Sequence, residues 1–154
     1  MKGAIIGDIV GSRFEWENIK TKDFELFVEG ASDFTDDSVL TLATAQALME
    51  VSTDSEAKTY HEAFREAYIH FAKRYPGHGY GGRFSRWLRG SDHSPYNSCG
   101  NGSAMRVSPV AWAARTLEEC ERLAKYSADV TDHPDGIAGA QTTTGACWMG
   151  LHGA

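Results

Sequence analysis

Thr35-Asp36-Asp37 places a hydroxyl and two carboxylates on consecutive residues. Hard oxygen donors of this kind suit Mg²⁺, Mn²⁺ and Ca²⁺. The same run also reads as an ordinary acidic helix start, because Thr caps helices and carboxylates favour the positive end of the helix dipole. Gly7-Asp8-Ile9-Val10-Gly11-Ser12-Arg13-Phe14-Glu15 sets polar groups among glycines that permit close backbone approach to a ligand, or simply to another helix. It matches neither the dinucleotide fingerprint GxGxxG nor the P-loop. Cys99-Gly100-Asn101-Gly102-Ser103-Ala104-Met105-Arg106 is a Gly/Asn turn opening onto a helix. Free N–H groups there form either a phosphate-binding nest or a plain capped turn. Thr131-Asp132-His133-Pro134 offers one loop histidine, as a ligand contact or as a cap. The other histidines show no HExxH or Cys/His zinc spacing, and no GxSxG nucleophile signature is present.

The elements that must carry these residues read as helices. The opening MKGAIIGDIVGS puts Ile5, Ile6, Ile9 and Val10 on one face, and Gly3, Gly7 and Gly11 on a second face open to a close helix neighbour. A buried strand feeding a nucleotide-binding turn is the competing reading. Residues 17–34 look irregular, with a short extended piece at Phe24, Leu26, Phe27 and Val28. Thr35 should cap a helix to about Glu50. Residues 56–74 repeat apolar side chains at three and four, and Pro76-Gly77 ends that helix. A glycine loop, GHGYGG, leads to a short helix through Trp87 and Leu88. A helix over 104–115 is bent or broken by Pro109. Thr116-x-x-Glu119 is a capping box for the next helix, and Pro134 fits the first turn of the last. The sum predicts an all-α chain and a single domain over residues 1–154.

Composition bounds the partners. The 154 residues carry 15 basic and 21 acidic side chains, a net −6, which argues against nucleic-acid binding through bulk charge. No apolar run approaches the ~20 residues of a membrane span, and the N-terminal stretch lacks a proper signal-peptide core. Three cysteines without a CxxC pair fit a reducing compartment, so a cytoplasmic location is expected.

Taken in order, GDIVGSRFE, FTDDS, GNGSAMRVSPVA and TDHPDGIAGAQ resemble the ADP-ribosylglycohydrolase family, of the dinitrogenase-reductase-activating glycohydrolase type, from Gly3 to about Gln141. The resemblance implies an all-α orthogonal helical bundle around a binuclear Mg²⁺ or Mn²⁺ site. It also implies removal of ADP-ribose from modified protein side chains or related conjugates. By position, Thr35, Asp36 and Asp37 match the first metal motif, and Glu15 matches the acidic residue near the scissile bond. Asn101, Gly102 and Ser103 match the loop holding pyrophosphate and ribose, Met105 and Arg106 continue that motif, and His133 matches a histidine near ADP-ribose. In this reading Glu15, Asp36 and Asp37 are catalytic. The family's later Asp-x-Asp-Thr motif has no counterpart after His133, so the chain reads as the N-terminal part of the fold, truncated at its C-terminus. A homodimer or a complementing chain is then expected to cover exposed apolar surface. Binding of ADP-ribose without catalysis is the alternative function.

Overall fold

The computed structural model describes residues 1–153, and its elements begin and end where local chemistry directs. They are α1 (Lys2–Gly11), a 3₁₀ turn (Ser12–Phe14), α2 (Asp36–Glu50), α3 (Ala57–Arg74), α4 (Gly82–Arg89), α5 (Gly102–Arg106), α6 (Ser108–Ala113), α7 (Leu117–Asp129) and α8 (Pro134–His152). Thr35 Oγ1 accepts from Asp37 N–H to open α2, and Thr116 Oγ1 accepts from Glu119 N–H to open α7. The reciprocal half of the capping box is shifted by one residue, since the Glu119 carboxylate accepts from Arg115 N–H at 2.8 Å. Pro134 occupies the first turn of α8, where its missing N–H costs nothing.

The fold is all-helical, as expected. Among the described residues there is no strand, only an isolated parallel bridge between Ser98 and Asp132. This bridge ties the loop before α5 to the loop before α8, through Ser98 N–H to Thr131 C=O and His133 N–H to Ser98 C=O. Among the described residues no helix is long and apolar enough to cross a membrane.

Packing follows the apolar periodicity. Helix α3 buries Tyr60, Phe64, Ala67, Tyr68 and Ala72, one face of a 3.6-residue repeat, and α2 lies against it. Helix α7 buries Cys120, Leu123, Ala124 and Ala128 against α8. Val107 and Val110, in the α5–α6 region, close the core between these pairs.

Three expectations need correction. Of the two readings for 104–115, bent or broken, the break is observed, though it falls at Val107 and the helix starts earlier, at Gly102, because Pro109 lacks the N–H to continue α5 and sits in the first turn of α6. The extended piece at Phe24–Val28 is absent: the segment has no regular structure, and Leu26 and Phe27 are exposed. The glycine face of α1 has no close helix neighbour, since a Cβ added at Gly3, Gly7 or Gly11 would meet nothing within 4 Å. Helix α1 buries no residue at all. Trp16, Ile6 and Trp112 are also exposed.

Candidate active site

The start of α2 brings the sequence motifs together. A helix N-terminus normally leaves its first N–H groups orphaned and attractive to anions. Here each has an internal partner. Asp36 N–H donates to His78 C=O at 2.6 Å, and Val39 N–H to Thr35 C=O at 3.2 Å. Asp37 N–H donates to Thr35 Oγ1, and Ser38 N–H to Asp8 Oδ2 at 3.0 Å. This terminus is therefore built to present the Asp36 and Asp37 side chains, not to hold a phosphate.

Asp8, on α1, is the organiser that sequence reasoning left unassigned. Its carboxylate accepts from Thr35 N–H at 2.8 Å and from Thr35 Oγ1 at 2.6 Å, besides Ser38 N–H. Its signal was present: it is the only acidic residue in α1. Asp8→Ala removes the acceptor of three donors at once and is expected to lower unfolding stability by about 1–3 kcal/mol. Urea denaturation reads this directly, and an unchanged midpoint would show that water replaces the carboxylate.

Two clefts flank this helix start. One, of about 540 Å³, is lined by Asp8, Glu15, Thr35, Asp37, Asn101 and Met105 among others. The other, of about 380 Å³, is lined by Asp36, Asn101, Gly102 and Met105 together with Arg83 and Tyr96. Asn101 and Met105 form the wall common to both. Glu15, Asp36–Asp37 and the Asn101 turn, far apart in sequence, thus meet at one place.

The other expected residues fall differently. Ser103 is fully buried, and its hydroxyl hydrogen-bonds the Asp132 carboxylate and Gly136 C=O, so it braces the turn from behind. His133 caps α8, with Nδ1 accepting from Asp135 N–H at 3.3 Å, and lines neither cleft. Its neighbour Asp132 lines the Asp36 cleft instead, buried, with Oδ1 accepting from Thr131 Oγ1. Nothing in the spacing of TDHP distinguishes these two residues. Arg106 is almost wholly buried but borders the Asp36 cleft, its guanidinium donating to Ser127 C=O and Thr131 Oγ1 and lying 4.1 Å from the Tyr68 ring centroid.

The carboxylates at the cleft have no cationic partner: none of the ion pairs among the described residues includes Asp8, Glu15, Asp36 or Asp37. Burial, then repulsion from Asp37, pushes the Asp36 carboxyl up to about 6. Burial, then Asp8 and Glu15, raises Asp37. A raised folded-state value means that protonated Asp36 favours the native state. That contribution is complete below the ordinary carboxyl range and is lost as pH rises through about 6. Asp36→Asn is therefore expected to melt a few degrees above wild type at pH 7.5 and to match it near pH 4. A calorimetric series across that range would refute this if the two proteins stayed parallel.

An uncompensated pair of hard oxygen ligands fits a divalent cation as a partial set: the Asp36 and Asp37 carboxylates with the Thr35 hydroxyl. Among the described residues no group of three or more His, Cys, Asp or Glu side chains converges as a metal ion requires. The set is thus a fraction of a coordination shell.

Acidic side chains displayed from a fully capped helix start thus lie beside a Gly/Asn turn in an all-helical fold. The sequence profile of the ADP-ribosylglycohydrolase family matches residues 1–154, and the chain belongs to that family. It is similar to ADP-ribosylhydrolase ARH3 of Danio rerio, 26% identical over 180 aligned positions, covering 99% of this chain and 46% of the relative. It is also similar to ADP-ribosylhydrolase ARH3 of Mus musculus, 25% identical, covering 85% of this chain and 42% of the relative. The chain spans just under half the length of these curated relatives.

Proposed function

We propose that the paired clefts take ADP-ribose and that the site hydrolyses it from modified protein side chains or related ADP-ribose conjugates. The reacting ribose lies between Glu15 and Asp36–Asp37, with the pyrophosphate against the Asn101–Gly102 turn. The observation that carries this reading is the meeting of unpaired carboxylates and a Gly/Asn turn across the wall formed by Asn101 and Met105. Family membership and the similarity to the two ADP-ribosylhydrolases support it.

Cleavage at the anomeric carbon builds positive charge on the sugar ring. Asp36 and Asp37, partly buried, would act on that sugar through the cation they hold, fixing its position and partly balancing its charge. Glu15, exposed at the rim, moves a proton between water and the leaving group, the task of a carboxyl in glycoside hydrolysis. Asn101 and Gly102 orient the nucleotide through the turn. Thr35, Asp36 and Asp37 hold Mg²⁺ or Mn²⁺, and the cation, when bound, supplies Lewis-acid polarisation of ribose hydroxyls and water. Further oxygen donors, including those for a second ion, come from substrate, from water, or from a second copy or complementing chain.

Titration calorimetry with ADP-ribose, with and without Mg²⁺ or Mn²⁺, run beside an assay of ADP-ribose release from modified protein, tests the reading. Metal-dependent binding with release is expected, and Asp36→Ala should abolish the release. Full release by that variant defeats the assignment. The partial ligand set favours a second reading, an ADP-ribose-binding module without turnover; binding with no release selects it.

A further inference from the structure

The sequence GHGYGG between α3 and α4 carries no assigned role, yet it lies directly on the start of α2. Gly77 and Gly79 have φ values of +83° and +89°, a region that L side chains rarely adopt. These two glycines turn the backbone on either side of His78, so that its carbonyl reaches Asp36 N–H at 2.6 Å. The His78 ring stacks on Phe34, with centroids 4.2 Å apart and planes 15° from parallel. His78 Nδ1 lies 3.1 Å from Phe34 C=O. A carbonyl only accepts, so Nδ1 carries the proton. Tyr75 packs edge-on against Phe34, and Tyr80 Oη donates to Tyr75 C=O at 2.9 Å, bracing the loop from both ends. Finally, a Cβ at Gly79 would stand 3.3 Å from Asp36 Oδ1 and 3.8 Å from Thr35 Cβ.

We infer that the His78–Gly79 loop is a positioning device for Asp36. It fixes the backbone of Asp36 through the His78 carbonyl and limits its carboxylate through the bare Cα of Gly79. His78 is thus a positioning residue, acting through Phe34 and through the peptide of Asp36. What the positioned carboxylate is for rests on the reading of the site given above; the positioning itself does not.

The two are tested separately. In metal-free protein, amide hydrogen exchange at Asp36 reads the loop directly. His78→Ala is expected to speed it about tenfold, with α7 and α8 amides unchanged, because an outer partner is lost while the core is untouched. His78→Asn keeps a donor near the Nδ1 position and recovers most of the protection. In the second arm, Mn²⁺ affinity is followed by the electron paramagnetic resonance of free Mn²⁺. Gly79→Ala and His78→Ala are expected to weaken it about tenfold, the lower end for residues that orient metal ligands. Thermal unfolding run alongside shows that each variant is folded. Asp36 exchange like that of wild type in folded His78→Ala overturns the inference, as does Mn²⁺ affinity like that of wild type in both variants. A wild-type protein that takes up no Mn²⁺ defeats the cation reading instead, and the exchange arm then decides the positioning alone.

Discussion

Replacing Arg106 with methionine is expected to remove about 3–5 kcal/mol of stability, a large part of the ~5–15 kcal/mol that holds a domain together. Arg106 is 1% exposed, so little water reaches its guanidinium. It donates to Ser127 C=O at 3.0 Å and to Thr131 Oγ1 at 2.9 Å, and each such charged hydrogen bond contributes about 1.5–3 kcal/mol. Its face also lies on Tyr68, a cation–π contact whose gain is offset by the cost of desolvating the buried cation. Methionine keeps much of the volume and none of the donors. The loss spreads, because Tyr68 Oη also bonds Ser127 Oγ at 2.7 Å and Thr44 Oγ1 at 3.2 Å. Guanidinium denaturation of wild type and Arg106→Met measures the difference. A loss under about 1 kcal/mol would mean that the interior admits water around this side chain.

Gly136→Ala is the second large effect. A Cβ at this position would clash with Asp132 Oδ2 and sit about 3 Å from the rest of that side chain, so Asp132 must move. Asp132 is no passive neighbour. Its carboxylate accepts from Ser103 Oγ and Thr131 Oγ1. One methyl group therefore pushes apart the start of α8, the loop at 131–133 and the Asn101–Ser103 turn. Overpacking alone costs about 1–3 kcal/mol, and stranding buried hydroxyls adds to it. ADP-ribose affinity should fall with stability, since the turn loses its brace. Ser103→Ala made in the same background should show a non-additive change, because both substitutions break one network. Strict additivity would argue that Asp132 relaxes without disturbing Ser103.

Legibility in the sequence follows the range of the interactions. Helices α2, α3, α7 and α8 were readable because their caps and apolar repeats lie within a few residues of one another, as with Thr35, Thr116 and Pro134. The break at Val107 was half readable, since Pro109 announces a boundary without fixing which side ends first. The meeting of Glu15, Asp36, Asp37 and Asn101 came from motif order and not from spacing. What stayed hidden depends on contacts distant in sequence. Asp8 reaches Thr35 across 27 residues and Ser103 reaches Asp132 across 29, and no local pattern marks either pair. The surroundings of Ser103 and His133 were hidden for the same reason: one faces inward and the other caps a helix. The unstructured run from Phe24 to Val28 has strand-like composition but no second strand to pair with, and composition alone does not make a ladder.

Helix α1 buries none of its ten residues and is joined to the rest chiefly where Asp8 grips the next helix. A segment held by so few buried contacts is expected to separate as a unit before the core melts. Its departure would strip Thr35 and Ser38 of their shared acceptor and loosen the acidic pair from below. The lifetime of the assembled cleft is then expected to depend more on how long the Asp8 carboxylate keeps hold of its neighbour than on the strength of the aromatic interior.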